Sequence, residues 1–214
     1  MKTTQLYMIR HGQSKGNKSN SFLGHTDLDL TELGPIQAEN TAQFLKDIKV
    51  YVIYSSDLSR AYNTAMHTAE LNGMEIIKCK NLREIYAGQW ENKRFDELEK
   101  EFNQSYTVWM TNIGRVRCDG GESAEELQKR VVSEITRIAE ENGGKTVFVF
   151  THATPIRAFK AFCDGKTLDE MKDVPWTTNA SVSHFEYSEG KFKVVDYGID
   201  FFQGSEKSTL PANV

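Results

Sequence analysis

Three short runs of unbroken apolar residues constrain this chain most: "LYMI" at 6–9, "VYVIY" at 50–54 and "TVFVF" at 146–150. A strand with one wet face alternates apolar with polar residues, whereas an unbroken run belongs to a strand covered on both faces. The stretches between the runs are long enough for helices. That alternation predicts an α/β fold, a three-layer α/β/α sandwich around a mostly parallel sheet. "MEIIKC", around Ile76 and Ile77, is a weaker strand candidate, and "SVSHFEY" with "KFKVVDY" predicts a closing hairpin turning at Glu189-Gly190.

The helices are marked at their ends. In "LTELGPIQAENTAQFLKDI", Thr31 is the expected N-cap, and Ile36, Phe44, Leu45 and Ile48 are among the apolar positions. Ser56 is the expected cap of a helix with Leu58, Ala61, Ala65 and Ala69 on one face. Further on, Ser123 and Glu126 form a capping box, Leu127, Val131, Ile135 and Ile138 line one side, and Gly143-Gly144 ends the pattern. No linker or repeat divides residues 1–214, so one domain is expected. The charged, aromatic segment at about 92–120 reads as a small helical cap or lid inserted between core elements.

Composition narrows the function classes. Lys and Arg total 26 against 30 Asp and Glu, a net charge of -4, which disfavours nucleic acid as a partner. The apolar runs are far shorter than the ~20 residues that span a bilayer, and "MKTTQLYMIR" lacks the apolar core of a secretion signal. A cytoplasmic protein with no membrane partner is therefore expected. Cys79, Cys118 and Cys163 form no C-x-x-C pair and suit a reducing compartment. Oligomeric state is left open, with a homodimer among the options.

In open parallel sheets, ligands bind beyond the carboxyl ends of the strands. The residues placed there are Arg10-His11-Gly12, the segment "SSDLSR" ending at Arg60, and Thr151-His152. Two arginines and two histidines thus meet at one sheet edge. From Gly12 the chain also reads G-x-x-x-x-N-K-S, one residue away from a nucleotide-binding loop. That reading needs a strand ending in a metal-binding Asp, and the strands at 50 and 146 end in Ser55-Ser56 and Thr151-His152 instead. A phosphoesterase with two H-x-[ST] motifs fails as well, because only "HAT" at His152 fits.

Taken in order, "IRHGQSKGN", "GHTDLDLTELGPIQA", "YSSDLSRAYNTA", "LREIYAGQWEN", "GGES" and "VFVFTHATPIR" resemble the histidine phosphatase superfamily, in its phosphoglycerate-mutase-like branch. The resemblance implies a phosphomonoester hydrolase acting on small phosphorylated metabolites, with no metal and no cofactor. His11 would be the nucleophile that forms a phosphohistidine. Arg10, Arg60 and His152 would hold the non-bridging oxygens, with Asn17 as a further donor and Gly24 and the Ala153 amide completing the phosphate site. Glu84 would protonate the leaving oxygen and then deprotonate the attacking water. A neutral His11 beside a protonated Glu84 predicts a bell-shaped pH profile centred at about pH 5.5–6.5.

Departures from the family pattern discriminate among activities. Gln13 stands where Glu is frequent, Leu23 where many members have a polar residue, and Ala153-Thr154 where paired glycines are common, which narrows that wall. Mutases of the family resemble one another around the acid as "ERHYG" and carry an Arg-Arg pair. This chain has "REIYAGQWEN" and no such pair, so it resembles the phosphatase side. Arg115 and Arg117 could bind a distal carboxylate or phosphate, which keeps a cofactor-dependent phosphoglycerate mutase as the alternative. A catalytically idle phospho-ligand binder is the alternative of another class. His25, His67 and His184 read as structural, and Trp90 and Trp109 as packing or lid residues.

Overall fold

The computed structural model describes residues 2–209. In chain order its elements are β1 (Thr4–Arg10), α1 (Lys15–Ser19), α2 (Leu33–Leu45), β2 (Val52–Ser55), α3 (Ser59–Asn72) and β3 (Ile76–Lys78). There follow α4 (Phe95–Glu101), α5 (Asn103–Thr111), α6 (Ala124–Glu141), β4 (Thr146–Thr151), α7 (Ala153–Cys163), β5 (Val182–Ser188) and β6 (Lys191–Ile199). The strands form one sheet in the order β3-β2-β4-β1-β5-β6. β1 to β4 run parallel, while β5 and β6 are antiparallel.

The unbroken apolar runs follow from two covered faces. β1 sends Leu6 and Met8 one way and Ile9 the other, and β4 divides Val147 and Val149 from Phe148 and Phe150. Leu127, Val131, Ile135 and Ile138 of α6, with Ile156 and Phe159 of α7, cover the first face. Leu45 of α2 and Ala65 and Ala69 of α3 cover the second. Each fully buried Leu, Ile or Phe contributes roughly 1.5–3 kcal/mol of transfer free energy, so the two faces together drive the layering. The hairpin turns where expected: Glu189 and Gly190 both have positive φ, 53° and 74°, as a two-residue loop of the I′ type requires.

Helix ends are partly as expected. The Ser123 side chain accepts from the Glu126 amide and the Glu126 carboxylate from the Ser123 amide, closing the capping box of α6. Thr31 does not cap α2, which starts after Glu32; the Thr31 hydroxyl donates to Gln13 Oε1 at 2.8 Å instead. Ser56 does not cap α3 either, because its hydroxyl lies buried against His152. Ile36 is 50% exposed, since the buried stripe of α2 runs through Gly34, Ala38, Thr41, Ala42 and Leu45.

Between β3 and α6, α4 and α5 pack on an aromatic cluster of Phe22, Trp90, Tyr106 and Trp109 that is continuous with the core under α6. Phe95 and Trp109 reach over the carboxyl end of the sheet, where a cavity opens. Among the described residues, no helix is long and apolar enough to cross a membrane.

Candidate active site

Adjacent parallel strands bring three chain segments to one place. β1 delivers Arg10 and His11, β4 delivers His152, and the turn after β2 delivers Ser56 and, at the start of α3, Arg60. The cavity there encloses ≈ 90 Å³, and its floor includes Arg10, His11, Asn17, Arg60, Glu84 and Ala153. Gly24 lines it too. His152 is wholly buried beside His11, their ring centroids 5.1 Å apart in an edge-to-face arrangement.

Hydrogen bonds fix the chemistry of each ring. His11 Nδ1 donates to the carbonyl of Gly12 at 2.7 Å, so Nε2 carries the free lone pair. His152 Nε2 meets Ser56 Oγ at 2.9 Å, while its Nδ1 is buried with no protein partner. Burial, with the Arg60 and Arg10 charges adding, holds the His11 pKa well below its ordinary 6.5. Burial and then Arg60 do the same for His152. Both rings are therefore neutral at physiological pH.

The arginines are held from behind. Arg60, 1% exposed, donates to the carbonyls of Thr26 at 2.9 Å and Gly24 at 2.8 Å. Arg10 donates through Nη1 to the carbonyl of Thr177, and its Nε is buried without a partner. Burial lowers both guanidinium pKa values to about 10, which leaves them charged at neutral pH. Glu84 acts on both cations and Asp27 and Glu91 act on Arg60, but the hydrogen bonds of the two guanidinium groups go to backbone carbonyls, which makes a site that stabilises a dianion. Gly24 sits at φ 51°, and a Cβ there would collide with Glu91 Oε1 and the Ala87 side chain, so only glycine fits at this turn behind Arg60.

Asn17 and Glu84 are oriented by their neighbours. Asn17 Oδ1 accepts from the Ser14 amide at 3.0 Å, the Ser14 hydroxyl at 2.9 Å and Asn179 Nδ2 at 3.1 Å, which leaves its own NH₂ for the cavity. Glu84 Oε1 accepts from the Ile85 amide at 2.8 Å and Oε2 from the Thr154 amide at 3.3 Å. Burial raises its pKa against the lowering effect of those bonds. The set can place an unprotonated nitrogen, a carboxyl group whose pKa burial raises and two cations around one phosphoryl group.

A sequence profile described as "Histidine phosphatase superfamily (branch 1)" matches residues 6–200. The chain belongs to the histidine phosphatase superfamily. Phosphoserine phosphatase 1 of Hydrogenobacter thermophilus is 33% identical over 198 residues, 91% of this chain and 92% of that protein. Phosphoglycerate mutase-like protein 4 of Arabidopsis thaliana is 30% identical over 189 residues, 87% of this chain and 80% of that one. The solved structure of Bacillus stearothermophilus YhfR matches with a TM-score of 0.89 at 28% identity, covering 93% of this chain and 99% of that one.

Around this candidate site of a histidine phosphatase, several contributors escaped the sequence reading. Ser56 holds His152, and Asn179 donates to the His11 carbonyl as well as to Asn17. His25, read as merely structural, touches the Glu84 carbonyl through Nε2 at 2.9 Å, and Arg130 reaches the same oxygen at 3.2 Å. Glu91 accepts from the amides of His25 and Thr26, both at 2.7 Å, and so locks the Gly24 loop to the segment after Glu84. His67 pairs with Glu39 and His184 with Gln5, both away from the cavity. Trp90 is wholly buried, whereas Trp109 packs and also lines the cavity. The cap arginines are engaged elsewhere: Arg115 pairs with Asp169, and Arg117 with Glu126 at 2.8 Å.

Proposed function

We propose that this histidine phosphatase hydrolyses phosphomonoesters of small metabolites through a covalent phosphohistidine on His11, without a metal ion. The observation that carries the reading is the meeting of His11, two buried arginines and Glu84, whose pKa burial raises, around one cavity, with His152 buried against the His11 ring. The His11 Nε2 lone pair forms a bond to phosphorus as the ester P–O bond breaks, and Glu84 gives its proton to the departing alkoxide. Arg10, Arg60, Asn17, the His152 ring and the Ala153 amide hold the phosphoryl oxygens, and Gly24 backs Arg60. Glu84 then takes a proton from water as the water oxygen attacks phosphorus, the N–P bond breaks and inorganic phosphate leaves. The arginines supply the positive charge that a metal ion supplies in other phosphoryl-transfer sites.

One named relative is a phosphatase and one is mutase-like. Water as the acceptor is favoured over a second phosphorylated substrate because Arg115 and Arg117 are ion-paired outside the cavity. The segment at about 92–120 serves as a cap of the single domain, and the setting is the cytoplasm, with neither nucleic acid nor membrane as a partner. Incubation with a ³²P-labelled ester leaves acid-labile label on the wild-type protein and none on His11→Ala, and turnover survives EDTA. A requirement for added magnesium, or label on Ser or Asp, overturns the reading.

A further inference from the structure

Beyond the phosphate-binding floor, the cavity changes character. Beside the hydroxyl residues Ser14, Ser21 and Thr154, the rest of its lining is a wall of Phe22, Leu23, Phe95, Trp109 and Trp176, drawn from the loop after α1, from α4, from α5 and from the loop before β5. Arg10 and Arg60 are the only Lys or Arg side chains that line it among the described residues, and both belong to the phosphate floor.

The wall is braced. Phe22 meets Trp109 edge-to-face with centroids 4.8 Å apart, and Trp109 meets Trp176 at 5.8 Å. The Arg157 guanidinium lies over the Trp176 ring at 4.3 Å, itself buried and donating to the Lys172 carbonyl at 2.8 Å. Tyr197 ties the same loop down by donating to the Pro175 carbonyl at 2.9 Å. One indole is thus pinned by a buried cation, while the other is packed into the core of the cap.

We propose that this wall selects the alcohol half of the substrate: monoesters of planar apolar alcohols are preferred, and those whose alcohol carries a carboxylate or a second phosphate are disfavoured. The inference rests on the phosphatase reading above and names its substrate class. A flat apolar group buries its surface against the rings at a gain proportional to area. A carboxylate placed there loses water and faces the negative side of the aromatic quadrupoles, and Arg157, the cation behind Trp176, does not line the cavity to meet it. Phosphoserine and 3-phosphoglycerate both carry that carboxylate, so the wall sets this chain apart from the activities in its relatives' names.

The test compares benzyl phosphate with O-phosphoserine and 3-phosphoglycerate, all of which release primary alkoxides, with phosphocholine included. The expected kcat/KM for benzyl phosphate exceeds the carboxylated esters by at least about tenfold, the ratio that burying one small apolar patch supports. Trp176→Ala narrows the gap through KM, and Phe95→Arg, which installs a cation on the wall, raises kcat/KM for 3-phosphoglycerate. Binding of benzylphosphonate and 3-phosphonopropionate, followed by tryptophan fluorescence, reads the same preference with no chemistry, so a failure of hydrolysis is told apart from a failure of the wall. Equal or tighter binding of 3-phosphonopropionate, a preference for phosphocholine, or ratios unmoved by both substitutions overturns the proposal.

Discussion

Three donors converge on Asn17 Oδ1, so the direction of one amide depends on a residue 162 positions away, Asn179. Asn179→Ala frees that amide to rotate, and kcat/KM falls by about tenfold, the worth of one hydrogen bond to a charged group; steady-state kinetics on p-nitrophenyl phosphate measures it. In the proposed mechanism the ionisations of His11 and Glu84 set the pH dependence. His11 must be neutral, and its pKa lies well below 6.5, so activity persists on the acid side of the ordinary imidazole range. Glu84 must be protonated, and its raised pKa carries the alkaline limb above the ordinary carboxylate range. Glu84→Gln removes that alkaline limb and slows alkyl esters by about 10²–10⁴-fold, with a much smaller effect on p-nitrophenyl phosphate, whose leaving group needs no proton. The convergence of Arg10, His11, Arg60 and His152 was legible because strand ends and motif coincide at them. Ser56 was misread because a serine before a helix signals a cap equally well as a histidine partner.

Elements were legible where one signal had one physical cause. The α6 capping box is local, fixed by residues three apart, and Ser123→Ala lowers stability by about 1 kcal/mol in chemical denaturation. Ile135, wholly buried between α6 and the sheet, costs about 2–5 kcal/mol when cut to Ala, because the close-packed layers cannot collapse fully onto the space left behind. The α2 start was less legible, since Thr31 had a competing acceptor in Gln13, 18 residues earlier in the chain. The two short cap helices announced themselves by composition. Their packing on Phe22 and Trp90 came from pairs distant in sequence.

Across the whole molecule, the site concentrates buried positive charge. Arg10 and Arg60 are buried with backbone carbonyls as their hydrogen-bond partners, so an anion that binds only the folded state stabilises it. Phosphate or orthovanadate at 100 times its Kd raises unfolding free energy by about 2.7 kcal/mol, seen as a higher Tm, and Arg60→Ala removes most of that rise. Acid acts in the opposite direction. Unfolded histidines take up protons near 6.5, while folded His11 and His152 refuse them until far lower pH, so their contribution to stability falls as pH drops below 6.5. Glu84, with its raised pKa, offsets part of the loss. Denaturation at pH 7.0 and 5.5 shows the drop, and His152→Asn makes it shallower.

The sequence by itself determined the layers, the strand ends and the candidate residues that meet at them, because periodicity and motif are written in neighbouring positions. Tertiary structure alone decided which amide faces the cavity, which serine holds His152, and which aromatic rings line the cavity beside them. Each of those depends on side chains brought together from distant segments, and no local pattern encodes such a meeting.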